Sequence, residues 1–242
     1  MHTATSRPSR FGQWLGVVCF AVAMAWVESA VVLYLRSLSQ QFDPYEPFQL
    51  PLGSNILGAE MVREAATLLM LGSVGWLAGQ TRRSRVALAI VAFGTWDIFY
   101  YVFLVPLTGW PRSLLDWDIL FLLPLPWWGP VLAPTLIACV MIVGGTLVAL
   151  RDSPEQPICP SRYPSLAALV GGTLALYVFM EDALRALPEG VEQFVDLRPE
   201  RFDWPLFLLA VVLLSAPVVE VAWRARTSAD ISRISRRDEA DR

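Results

Sequence analysis

The chain has 242 residues, 55% of them hydrophobic and only 17% charged, with a mean hydropathy of +0.48 and a formal net charge of -3. Several apolar runs approach the roughly 20 residues that cross a hydrocarbon core, which excludes an ordinary soluble domain, and their lack of strict alternation excludes a β-barrel. The small net charge gives no footing for nucleic acid. The sequence therefore predicts an all-α polytopic transmembrane bundle whose partner is the lipid bilayer, in a cell membrane and specifically a bacterial inner membrane.

Every basic residue is arginine, and the only histidine is His2, in the N-terminal tail. This argues against histidine-ligated haem, histidine metal sites and Ser-His-Asp catalysis. Cys19, Cys139 and Cys159 are dispersed and form no C-x-x-C pair. They support neither a disulfide framework nor a thiolate metal centre. No metal site is expected, and the sequence specifies no cofactor.

A short N-terminal tail, residues 1–12, precedes the transmembrane domain, residues 13–224. Arg7, Arg10 and the "AVA" and "AMA" triplets resemble a signal peptide, but the apolar run continues to Leu35 and reads as an uncleaved first span from Gln13. The second span runs from Ile56 to Ala78 and the third from Val86 to Leu107. The stretch Ile119 to Leu150 is too long for one crossing and contains Pro124, Pro126, Pro130 and Pro134. Because proline removes a backbone donor and breaks helix, Ser113 to Trp128 is expected to be a short re-entrant helix, begun by a Ser113–Asp116 capping box. The fourth span follows from Val131 to Leu150, the fifth from Ser165 to Leu184 and the sixth from Trp204 to Trp223. Residues 225–242 form a charged tail, read as disordered or interfacial.

Arginine placement agrees with this count. With six spans and one re-entrant element, the arginine-rich flanks at Arg82, Arg83, Arg85 and around Arg224 to Arg237 lie on one side. The positive-inside rule makes that side cytoplasmic, together with both termini.

The candidate site is a set of charges inside the spans. Glu28 lies in span one, Glu60, Arg63 and Glu64 in span two, Asp97 in span three, and Asp118 in the re-entrant element. At 1.5 Å per residue, Glu28, Glu64 and Asp97 each lie about 12–15 Å from the outer end of their span. The inner halves of those spans carry no charge. Arg63 is expected to pair with a carboxylate from a neighbouring helix, Glu28 or Asp97. Glu60, near the start of its span, reads as solvated. Tyr100 and Tyr101 are expected to donate to Asp97. The pairs Glu181–Arg185 and Glu220–Arg224 read as interfacial.

Intramembrane ionisable residues mark ligand or proton paths by default; a purely structural ion network is the competing reading. One arginine against Glu28, Glu64 and Asp97 leaves excess negative charge, so either a carboxylate is protonated or a cation is bound. The leading expectation is an outward-facing pocket of Glu28, Arg63, Glu64, Asp97, Tyr100, Tyr101 and Asp118 that binds or translocates a cation, a proton or a cationic small molecule. Two other classes remain open: an intramembrane enzyme acting on a lipid or isoprenoid, and a non-catalytic subunit with other membrane subunits as partners.

Overall fold

A computed structural model of the chain describes residues 9–38, 54–153, 155, 157–189 and 201–240. Six helices are long and apolar enough to cross a membrane. They are α1 (Arg10–Leu38), α2 (Ser54–Ala78), α3 (Arg82–Thr108), α4 (Leu132–Arg151), α5 (Arg162–Ala186) and α6 (Trp204–Ala240). The apolar part of α6 ends at Arg224. Each sequence-predicted span coincides with one of these helices. The N-terminal tail before Ser9 lies outside the described residues, as do most of the loops predicted at 37–55 and 185–203.

The helix ends follow local chemistry. At the start of α3 the Thr81 hydroxyl accepts from the Ser84 amide, and the Ser84 hydroxyl accepts from the Thr81 amide. This reciprocal cap satisfies two of the amides that a helix start leaves without an intrahelical partner. At its other end Gly109 adopts φ 72° and donates its amide to Val105. That left-handed turn is one glycine enters without steric cost. The α4 start has no side-chain cap; instead residues 114–116, before the two-stranded segment, supply backbone acceptors, Asp116 for Val131 N–H and Leu114 for Leu132 N–H.

The expected re-entrant helix is a β-hairpin. Strands β1 (Trp117–Phe121) and β2 (Trp127–Pro130) pair antiparallel, with Trp117 opposite Pro130 and Asp118 opposite Gly129. The register shifts between Ile119 and Phe121. The prolines do forbid helix, as expected. They do not forbid a two-stranded ladder, because Pro130 sits at the strand end, where its missing donor costs least. "WDILF" is rich in β-branched and aromatic side chains that suit a strand. The Ser113–Asp116 capping box is likewise a turn rather than a helix start: the Asp116 carboxylate accepts from the Arg112 and Ser113 amides.

Helix α3 is central and packs against α1, α2 and α4, while α5 packs against α6. Small residues permit the close approaches. A Cβ on Gly94 would come within 2.8 Å of the Ala138 carbonyl, and one on Gly145 within 2.7 Å of the Ala87 carbonyl. Lipid tails are as apolar as a leucine side chain, so such backbone proximity, not hydrophobicity, drives association of membrane helices. One core gathers Val17, Ala21 and Ala25 of α1 with Leu71 of α2 and Leu88, Ala92 and Trp96 of α3. A second gathers Ala175, Val178 and Phe179 of α5 with Phe207 and Ala210 of α6. The hairpin stands between them: Phe121 stacks on Phe93 at 6.0 Å, and Trp127 on Phe179 at 6.1 Å. Trp128 and Trp110 are buried.

Candidate functional site

The face of α2 that turns inward is written in its spacing. Glu60, Arg63, Glu64, Thr67 and Leu71 follow the i, i+3, i+4, i+7 stripe of one helix face. Arg63 forms ion pairs with Glu28 of α1 and with Glu60, the latter through Nη2 at 2.6 Å and Nε at 3.0 Å. The predicted partner Glu28 is thus correct. Glu60, expected to be solvated, is instead the second carboxylate on the same guanidinium. Thr67 Oγ1 donates to Glu28 at 3.3 Å.

Glu64 takes a different task. Both of its carboxylate oxygens accept from the Leu122 amide, at 3.0 and 3.1 Å. This contact ties α2 to the tip of the hairpin and satisfies a backbone donor that the ladder leaves over. Non-helical backbone at membrane depth requires such protein partners.

Asp97 is 8% exposed and Trp96 6%. Neither Asp97 Oδ2 nor the Trp96 indole N–H has a hydrogen-bond partner among the described residues. Of the two expected tyrosine donors, Tyr101 goes elsewhere. Tyr101 Oη donates to Asp118 Oδ2 at 3.1 Å, not to Asp97. The hairpin brings Asp118 within reach of the tyrosine, a contact that helical spacing alone does not disclose. Beyond Asp118, towards the hairpin end of the bundle, the Arg36 guanidinium lies over the Trp110 ring at 5.1 Å.

Glu28, Arg63, Glu64, Asp97, Tyr100 and Tyr101 line one cavity of about 60 Å³, together with Thr67, Trp96 and the β1 residues Ile119, Leu120 and Phe121. Asp118 joins it through its bond to Tyr101. A polar cavity of that size has room for a few water molecules. Its helix residues lie at one level: Glu28, Arg63 and Asp97 are about 14–16 Å from the hairpin-side ends of their helices, at 1.5 Å per residue. Phe121 of its lining stacks on Phe93, and Leu71, one helical turn beyond Thr67 on α2, is buried.

Thr67 and Ser29 were not singled out in the sequence. Thr67 was detectable from the α2 stripe. Ser29, which donates to the Ala25 and Tyr100 carbonyls and so joins α1 to α3, carries no such signal. Among the described residues, no three acidic, histidine or cysteine side chains converge as the ligands of a metal ion would. No protein-family model matches the sequence, and no curated protein or solved structure is significantly similar to it.

Proposed function

We propose that the protein binds and translocates protons across a bacterial cell membrane, with Asp97 as the proton-binding group. The carrying observation is that Asp97 is buried midway along an apolar helix, its Oδ2 without a partner among the described residues, in a cavity of about 60 Å³. A carboxylate in that position is stable when it holds a proton or a cation. The size of the cavity favours a proton over an organic cation, and the absence of a converging ligand set among the described residues favours it over a metal ion.

The neighbouring groups divide the labour. Arg63 pairs with Glu28 and Glu60, and Glu64 holds the hairpin, so Asp97 is the carboxylate left for exchange. Tyr101, which lines the cavity and donates to Asp118, supports a route from Asp97 towards the hairpin end. The Phe93–Phe121 stack stands beside the cavity, and in this reading it is the plug that opens for translocation. The arginines at the other end support placing both termini in the cytoplasm and the hairpin end outside.

The test is proton flux into liposomes carrying the purified protein and an internal pH-sensitive dye, driven by an imposed potential. The wild-type protein should conduct above empty liposomes, and Asp97→Asn should lower the flux at least about tenfold, the scale of losing a positioned acid–base group. Equal flux in the two, or wild-type flux no greater than that of empty liposomes, overturns the proposal.

A further inference from the structure

On the other half of the bundle, a second cavity of about 420 Å³ opens sideways between α2, α3 and α4. Leu68 and Gly72 of α2, Ile90 and Phe93 of α3, and Met141 of α4 make it apolar. Trp76 and Arg85 stand at its far end. The site is separate from the carboxylate cavity, and Phe93 divides the two.

We propose that this groove binds one anionic phospholipid, with an acyl chain against Gly72 and Phe93 and the phosphate at Arg85. Three observations carry the assignment. First, a Cβ built on Gly72 meets nothing within 4 Å: the groove is open where a side chain would fill it, and no helix packs there. Second, the Arg85 guanidinium lies over the Trp76 ring at 4.7 Å and gives its Nε–H to the Gly79 carbonyl. Its two terminal NH₂ groups have no hydrogen-bond partner among the described residues, so a planar donor fork is held in place and left for an anion. Third, the dimensions suit a lipid. Arg85 lies one turn inside the start of α3, at headgroup level. Phe93 is eight residues further on, about 12 Å at 1.5 Å per residue, close to the depth of one leaflet's hydrocarbon. A tryptophan and an arginine at the rim with an apolar slot beneath reproduce the amphipathic profile of a phospholipid.

The proposal is independent of proton binding. It is tested by incubating the full-length protein in detergent with phosphatidylglycerol or phosphatidylcholine of matched chains and counting retained lipid by native mass spectrometry. The wild-type protein should retain one phosphatidylglycerol at least about fivefold better than phosphatidylcholine, the factor that one arginine beside an anionic lipid supplies. Arg85→Gln should erase that preference. Gly72→Phe should reduce retention of both lipids to background, with the melting temperature in lipid-free detergent unchanged. A wild-type protein with no preference between the two lipids overturns the proposal, as does undiminished retention in Gly72→Phe.

Discussion

At the scale of single residues, the carboxylates of the cluster differ in their partners. Arg63 pairs with Glu28 and Glu60, while Asp97 Oδ2 has no hydrogen-bond partner among the described residues. The two residues should therefore respond oppositely to substitution. Arg63→Ala strands Glu28 and Glu60 in a buried site, and should destabilise the folded protein by about 3–5 kcal/mol, the range for breaking a buried pair. Asp97→Asn replaces a buried carboxyl whose Oδ2 has no hydrogen-bond partner among the described residues, and should leave thermal stability unchanged or raised. Thermal unfolding in detergent checks both. A large loss of stability in Asp97→Asn would show instead that its carboxylate belongs to the structural network.

A second polar cluster lies outside the spans, at the end opposite the hairpin. Asp152 accepts from Thr81 Oγ1 at 2.5 Å, Arg83 Nε at 2.7 Å and the Ile158 amide at 2.9 Å. Burial opposes its ionisation, but the Thr81 hydroxyl, the Ile158 amide and the Arg83 guanidinium outweigh it and hold the carboxyl below its ordinary value. A depressed folded-state value means that the contribution to stability is complete above the unfolded value, about 3.9. It is lost as pH falls through the lower, folded-state value. Asp152→Asn should lower stability by about 1–3 kcal/mol at neutral pH. Wild type and variant should converge as the solution is acidified, measured as melting temperature against pH.

At the scale of elements, two kinds of close approach hold the architecture. Between helices, Gly94 and Gly145 let α3 and α4 approach backbone to backbone. In the hairpin, a Cβ on Gly129 would come within 3.0 Å of the Phe179 ring, so glycine lets β2 press against α5. Gly145→Leu should therefore separate α3 from α4 and destabilise by about 1–3 kcal/mol, the usual penalty of overpacking. Gly16→Leu, at a site whose Cβ meets nothing within 4 Å, should be neutral. Comparing the two melting temperatures checks whether backbone contact, rather than helix propensity, is what glycine provides in this bundle. The hairpin adds a different constraint. Its tip is tied to α2 through Glu64 and to both cores through Phe121 and Trp127.

At the scale of the whole molecule, the hairpin and the α3 start lie at opposite ends of α3, a helix long and apolar enough to cross a membrane. Leu115, in the turn before β1, is 60% exposed. Arg82, at the start of α3, is also exposed. In a background with Cys19, Cys139 and Cys159 replaced, a cysteine at position 115 should react with a membrane-impermeant reagent added to intact cells. A cysteine at position 82 should react only after the membrane is opened. The reverse pattern would put the termini outside and contradict the arginine-based orientation.

The sequence by itself determined the six spans, because hydrocarbon thickness fixes the length of an apolar run and a helix satisfies its own backbone groups locally. It also determined the polar face of α2, since Glu60, Arg63 and Glu64 lie within one helical turn of each other. Only the tertiary structure decided the rest. Trp96-Asp97-Ile98 is helical in α3, whereas the identical triplet Trp117-Asp118-Ile119 is a strand in β1. Local propensity cannot distinguish them; the prolines after the second triplet and the helices around it do. The site depends on the same kind of convergence. Glu28 meets Arg63 and Thr67, Glu64 meets Leu122, and Tyr101 meets Asp118 rather than Asp97. Each contact joins separate elements of the chain, and its energy comes from satisfying a polar group that the bilayer would otherwise leave unpaired. Periodicity can show which face of a helix carries such a group, but its partner is fixed only when the hairpin and the helices pack.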